Sequence, residues 1–195
     1  MTSTTIPAKT NSSSQRFADW AVIGISLLAL LFGWLVKNSV ENRSLPFTAS
    51  GISAQTPQGW FMTNPQGNEI LHITNPLSNG FGTTYTIENT PIPAGATFAL
   101  VVNLLTLDRG QALTAYRVLG QEPVTVFGRS AFEISYVFIV SDPNLTHNNI
   151  PNIVRGQDYI FLNGDHAVIA TYWAEEKSFD SDLGRFHKFL GSLKF

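Results

Sequence analysis

The sequence contains no cysteine. That absence removes disulfides, thiolate nucleophiles and every cysteine-based zinc, haem or iron–sulfur scheme; it leaves the compartment open, because an oxidising space permits disulfides without requiring them. Charge is scarce as well, with 13% of the 195 residues charged, 12 basic against 14 acidic, for a net charge of -2. No basic field exists to attract nucleic acid over a broad surface, so no nucleic-acid partner is expected. Lysine and arginine are wholly missing from Ser44 to Asp108, and from Ser44 to Leu107 the only charges are Glu69 and Glu88. Catalytic signatures are missing too: there is no Gly-x-Ser-x-Gly elbow, no phosphate loop and no His-x-x-x-His pair on a predicted helix. An activated nucleophile needs an adjacent base, and no such pairing is legible, so the chain is read as non-enzymatic and without cofactor.

What the chain has in excess is apolar side chains, 44% of the total. Part of that excess is one run. Between Arg16 and Lys37, residues 17–36 carry a single charge, Asp19, among Ala, Val, Ile, Leu, Gly, Ser, Phe and Trp. A helix of that length spans about 30 Å, the thickness of a bilayer core, and Asp19 lies within a turn of its end. Trp20 and Trp34 stand about 21 Å apart along such a helix, which suits two rings at opposite membrane interfaces. A cleaved signal peptide fits less well, since the run exceeds the usual apolar length and Val36-Lys37-Asn38-Ser39-Val40 offers no small-x-small cleavage site. The expectation is a retained single-pass helix in a cytoplasmic or thylakoid-type membrane. Lys9 and Arg16 before it nearly balance Lys37 and Arg43 after it; the cation-free stretch beyond Arg43 favours a cytoplasmic N-terminus and a C-terminal domain on the periplasmic, extracellular or lumenal side. Ala29 and Gly33 form a small-xxx-small pair through which a partner helix could approach.

The rest divides simply. Residues 1–16 form a polar tail, with eight hydroxyl residues between Thr2 and Ser14, and too little apolar surface to fold alone. Residues 37–46 read as a linker, and residues 47–195 as one domain. Within it, Phe47 to Thr56 reads as a strand ending in the turn Pro57-Gln58-Gly59. Ile70 to Thr74 and Thr83 to Glu88 read as a hairpin around Ser78-Asn79-Gly80. Phe98, Leu100, Val102 and Leu104 alternate, which predicts a strand over 97–104; Ala112, Ala115, Tyr116 and Leu119 then predict a helix, opened by Asp108 and Gln111 and stopped by Gly120. Val124 to Phe127 and Ala131 to Val140 join at Gly128, with Phe132, Ile134, Tyr136, Phe138 and Val140 on one face. Val154 to Leu162 and His166 to Trp173 flank Asn163-Gly164. Phe179, Leu183, Phe186, Leu190 and Leu193 mark a terminal helix capped by Ser178 or Asp180. The fold class is α+β: an antiparallel sheet covered by helices, an α/β/α sandwich.

Four short motifs carry a resemblance: Pro57-x-Gly59-Trp60, Val124-Thr-Val-Phe-Gly128-Arg-Ser-Ala131, Gly156-x-Asp158-Tyr159 and Phe189-Leu-Gly-Ser192-Leu-Lys-Phe195. Together with the order of the elements they resemble the PsbP-like family, whose best-known members are extrinsic lumenal subunits of photosystem II. The resemblance covers about residues 47–195 and implies the sandwich fold and a non-enzymatic role beside photosynthetic membrane complexes. This chain departs from the plant subunits by its apolar N-terminal helix, and no metal or binding residue carries over.

Candidate sites are few. Asp142 and His147, in the polar loop 141–153, could offer an oxygen and an imidazole to zinc or manganese, though hydrogen bonding within a turn explains the same residues. His72 and His166 fall on strands and His187 on the outside of the terminal helix. Glu175-Glu176 and Asp180/Asp182 sit where a helix dipole stabilises negative charge, which accounts for them better than an acid–base pair. The charge-poor, aromatic-rich stretch 44–107 has the composition of an interface core, with Trp60 and Phe61 as candidate anchors; Trp60 can equally cap the sheet core. Two readings follow: an accessory or assembly subunit bound to integral membrane subunits and the bilayer, or a membrane-anchored small-molecule or lipid-binding module with a pocket between sheet and helix.

Overall fold

The computed structural model describes the backbone of residues 13–41, 43–78, 81–141 and 151–195. The chain divides into two units, Met1–Arg43 and Ser44–Phe195. The first contributes one helix, α1 (Ser13–Glu41), whose described side chains run from Trp20 to Val36. The apolar run therefore lies inside a longer helix, which takes in Ser13 to Arg16 of the expected tail and Lys37 to Glu41 of the expected linker. The tail residues 1–12 lie outside the described residues. Among the described residues no helix is long and apolar enough to cross a membrane.

The second unit opens with a hairpin of its own, β1 (Ser44–Ala49) and β2 (Ile52–Pro57). A single strand over 47–56 was expected; instead Ser50 and Gly51, both at positive φ (50° and 77°), turn the chain in two residues. Turns of this handedness match the twist of the strands they join, and the Ser-Gly pair was the signal for one. Then come β3 (Phe61–Met62), β4 (Glu69–Thr74), β5 (Thr84–Pro91), helix α2 (Phe98–Ala112), β6 (Arg117–Val126), β7 (Arg129–Val140), β8 (Asn152–Asn163), β9 (His166–Glu175) and helix α3 (Phe179–Gly191). All seven strands from β3 onward pair antiparallel in the order β3-β4-β5-β9-β8-β7-β6.

Residues 97–120 correct the sequence reading. The run Phe-Ala-Leu-Val-Val-Asn-Leu-Leu satisfies alternation and helical spacing at once, because nearly every position is apolar. The helix wins: Phe98, Val101, Val102, Leu105 and Arg109 fall on one face, and the Thr97 hydroxyl caps the start by accepting from the Leu100 N–H at 3.4 Å. Asp108 and Gln111 lie in that helix rather than opening the next, and Gly120 sits in β6 beside a register shift. Ser178 holds the N-cap position of α3 without capping it, because its hydroxyl donates back to the Glu175 carbonyl.

The sheet has a different cover on each side. Alternate residues of β8 and β9 enter opposite clusters: Tyr159, Phe161, Val168, Ala170 and Tyr172 pack with α3 and the β1–β2 hairpin, while Ile160, Ala167 and Ile169 pack beneath α2. The expected face of β7 holds, with Ile134, Tyr136 and Phe138 buried and Phe132 and Val140 packed against them under α2. The domain is an antiparallel sheet between helical layers, as its period-two strands require.

Candidate functional site

The α2 side of the sheet contains charge where a core ordinarily contains none. Arg109, on the buried face of α2, donates from Nη2 to Glu88 Oε1 at 2.6 Å and to the Thr171 hydroxyl at 3.3 Å, and its Nε lies 3.5 Å from Asp158 Oδ2. The Tyr136 hydroxyl donates to Asp158 Oδ1 at 3.0 Å and accepts from the Trp173 indole N–H at 2.7 Å. The guanidinium also sits 5.6 Å from the centre of the Trp173 ring. Burial raises the Glu88 pKa above the ordinary carboxylate value, against the lowering effect of Arg109. Burial likewise works against the charge of Arg109, but Asp158, Tyr136 and Glu88 outweigh it and hold its pKa above the ordinary value. Tyr136 and Asp158 have no exposed surface, so the arrangement serves to bolt α2 to the sheet rather than to meet a substrate.

Beside this bolt, α2 and the strands frame a groove of about 240 Å³, walled by Pro91, Ile92, Leu100, Leu104 and Leu105, with Glu88 and Asp108 as its charged groups. It opens onto the outer face of α2. There Leu100, Leu104 and Leu107 are 40%, 54% and 61% exposed, at the i, i+4, i+7 spacing of a helical seam. Two carboxylates meet at the sheet edge of the same side, since Glu69 of β4 stands in register with Glu88 of β5, an unfavourable pairing of like charges; the His72 imidazole lies 3.2 Å from Glu69.

The residues singled out by sequence fall in several places. Along α1, Trp20, Ala29, Gly33 and Trp34 are exposed, as is every described side chain of that helix except Gly24, and nothing lies within 4 Å of where a Cβ on Gly33 would stand. Trp60 is partly buried with its ring 4.5 Å from that of Tyr85, so it belongs to the core on the α3 side, whereas Phe61 is 67% exposed on the short edge strand β3. Asp142 and His147 lie outside the described residues; among the described residues no group of three His, Asp or Glu side chains could hold a metal ion. His166 pairs with Asp165 at 2.7 Å, and His187 lies 3.5 Å from the Tyr159 hydroxyl. Glu175 accepts from the Phe81 N–H, Glu176 and Asp180 face Arg155, and Asp182 accepts from Thr83, so these acids are fastenings between segments. The sequence reading missed Arg109 and its partners. An arginine in register with the apolar face of α2 was the signal, hidden by the strand assigned there.

The four motifs prove structural. A Cβ on Gly156 would stand 2.1 Å from the Tyr136 ring, so glycine at this β8 position is what lets Tyr136, its partner across the strands, lie flat and reach Asp158 two residues on. A Cβ on Gly191 would come within 2.8 Å of the Phe127 ring, which joins the β6–β7 turn to the end of α3. Ser192 accepts from the Gln55 N–H at 2.8 Å, and Gly59, at φ 84°, brings Trp60 onto Tyr85.

No family model and no curated protein matches this sequence. Solved structures do. The domain is similar to cyanobacterial PsbP (CyanoP) from Synechocystis sp. PCC 6803, with a TM-score of 0.57 at 13% identity over 78% of this chain and 92% of that one. It is also similar to a Pseudomonas aeruginosa protein of unknown function, with a TM-score of 0.52 at 12% identity over 79% of this chain and 98% of that one. The Ran-binding protein Mog1p of Saccharomyces cerevisiae gives a TM-score of 0.50 at 9% identity over 77% of this chain and 94% of that one. Identities this low speak to architecture rather than activity, and what they establish is that the chain carries an antiparallel sheet with helices in the PsbP/Mog1-like fold.

Proposed function

We propose that this protein is a non-enzymatic accessory or assembly subunit, anchored by α1 in a membrane and attached there to integral subunits of a larger complex. One observation carries the reading: from Trp20 to Val36 the helix has no charged residue, and its large apolar side chains stand uncovered, from 47% exposed at Val36 to 73% at Trp20. Water does not tolerate such a surface, whereas lipid and neighbouring helices do. Phe17 to Asp19 extend the run to bilayer length. The similarity to CyanoP supports a place beside a photosynthetic or electron-transfer complex. The N-terminus is then cytoplasmic and the domain lies on the far side. A small-molecule or lipid-binding module finds less support at the α2 groove, which at about 240 Å³ is smaller than the roughly 300–1,000 Å³ of usual ligand sites; the hollow between β6 and α3, lined by Val124, Tyr159 and His187, reaches the lower end of that range at about 340 Å³.

Exchanging residues 17–36 for an unrelated apolar helix of equal length is the test. If the helix packs on partners, the exchanged chain reaches the membrane but no longer co-purifies with other subunits in mild detergent. Unchanged co-purification would show that α1 only tethers, since tethering raises effective concentration without specific contacts. The absence of cysteine makes sidedness easy to read: Gln66→Cys introduces a single thiol on the exposed surface, and an impermeant reagent should label it from outside intact cells.

A further inference from the structure

α2 departs from the usual design of a covering helix. Its inner face carries an arginine among the apolar residues, and its outer face carries Leu100, Leu104 and Leu107, which nothing in the domain covers. Leucines on the face turned away from the sheet leave an apolar stripe in water that a solvent-facing helix ordinarily fills with polar residues. The groove beside the stripe continues the same apolar surface, because Leu100 and Leu104 belong to both. At about 240 Å³ it has room for one or two inserted side chains rather than a free-standing ligand.

Carboxylates outnumber cations around this surface. Glu69, Glu88, Asp108 and Asp158 lie on this side of the domain against the single arginine Arg109, Asp108 is the exposed one at the groove, and no lysine or arginine occurs between Ser44 and Asp108. Arg109 is already committed to Glu88, Thr171 and Asp158.

We propose that the outer face of α2 and its groove form a docking site for a basic amphipathic helix of a partner protein. Its apolar side chains meet Leu100, Leu104 and Leu107, and a lysine or arginine side chain approaches Asp108 at the rim of the groove. Helix-in-groove recognition of this kind reads anchors at i, i+3, i+4 and i+7. The identification of that partner as a membrane subunit rests on the accessory-subunit reading; the docking chemistry does not.

The test uses the full chain in phosphatidylcholine nanodiscs and two fluorescent synthetic helical peptides, one of leucine and lysine and one of leucine and glutamate. Empty nanodiscs give the background. The leucine–lysine peptide should bind, weakening about tenfold on Leu104→Ser and about two- to fivefold on Asp108→Asn, with the Asp108 effect fading at high salt. Both positions are exposed, so these variants should keep the fold, which circular dichroism checks. Asp108→Lys should reverse the preference toward the leucine–glutamate peptide. Equal binding of both peptides by the natural chain, binding insensitive to Leu104→Ser, or self-association of the chain through this face would each overturn the proposal. Loss of association on exchanging α1, with peptide binding intact, would locate a failure in the anchor and not here.

Discussion

The two helices that cover the sheet are built on opposite plans. α3 turns Phe179, Phe186, Phe189 and Leu190 inward and Asp180, Ser181, His187 and Lys188 outward, the ordinary amphipathic solution. α2 turns an arginine inward, held by Glu88 and Asp158, and leucines outward. The first arrangement is explained by folding alone. The second is not, because exposed leucines add nothing to the domain's own stability, and a buried ion pair is no more stabilising than apolar residues of the same shape. The difference separates a helix that completes a core from one that also offers a surface.

Substitutions can break that comparison, starting with the inward faces. Phe186→Ala empties a fully buried aromatic site and should cost about 3–5 kcal/mol in denaturant unfolding. Arg109→Met should cost a similar amount, about 3–5 kcal/mol, by stranding Glu88 and Asp158. Only the second deficit should depend on pH. Glu88 already has a raised pKa from burial, and losing Arg109 removes the influence that lowers it. A carboxyl group raised in the fold adds stability below its unfolded pKa and loses it as pH rises through the folded pKa. The Arg109→Met deficit should therefore shrink as pH falls from neutral toward about 4, near the unfolded value of a glutamate. A Phe186→Ala deficit that shrank in parallel would show that the effect belongs to the whole domain.

Smaller effects sharpen the contrast between sealed and open contacts. Gly156→Ala pushes a methyl into Tyr136, which is fully buried and cannot move, so about 1–3 kcal/mol should be lost. Gly191→Ala meets Phe127, whose side is 63% exposed and free to swing outward, and its cost should stay below about 1 kcal/mol. At the helix starts, Thr97→Ala should cost about 1 kcal/mol and Ser178→Ala much less, because only Thr97 uses its hydroxyl as a cap. Smallest of all, Leu107→Gln should change stability by less than about 0.5 kcal/mol, and a large loss there would mean the outer face of α2 is covered after all.

Much of the fold was legible in the sequence where one period dominates. The alternation of β7 and the stripe of α3 each admit a single reading, and the Gly-centred turns at Gly128 and Gly164 divide the strands near where they fall. Residues 97–120 were not legible, because an unbroken apolar run erases periodicity, and the capping hydroxyl of Thr97 decides only once the helix exists. The candidate site was hidden for the same reason. Arg109, Glu88, Tyr136 and Asp158 come from four separated segments, and only the register of β5, β7, β8 and β9 brings them together. The resemblance motifs marked where glycines admit aromatic rings, which is why they pointed to architecture.

Native-gel migration of the full chain, extracted from cells in mild detergent, tests the central claim most directly, with Gly33→Leu alongside. The substitution adds bulk where nothing within the helix would clash. The account predicts that the natural chain migrates within a larger assembly, and that Gly33→Leu reaches the membrane in equal amount but migrates alone. A natural chain that runs as a monomer, or that is washed from the membrane without detergent, would contradict it.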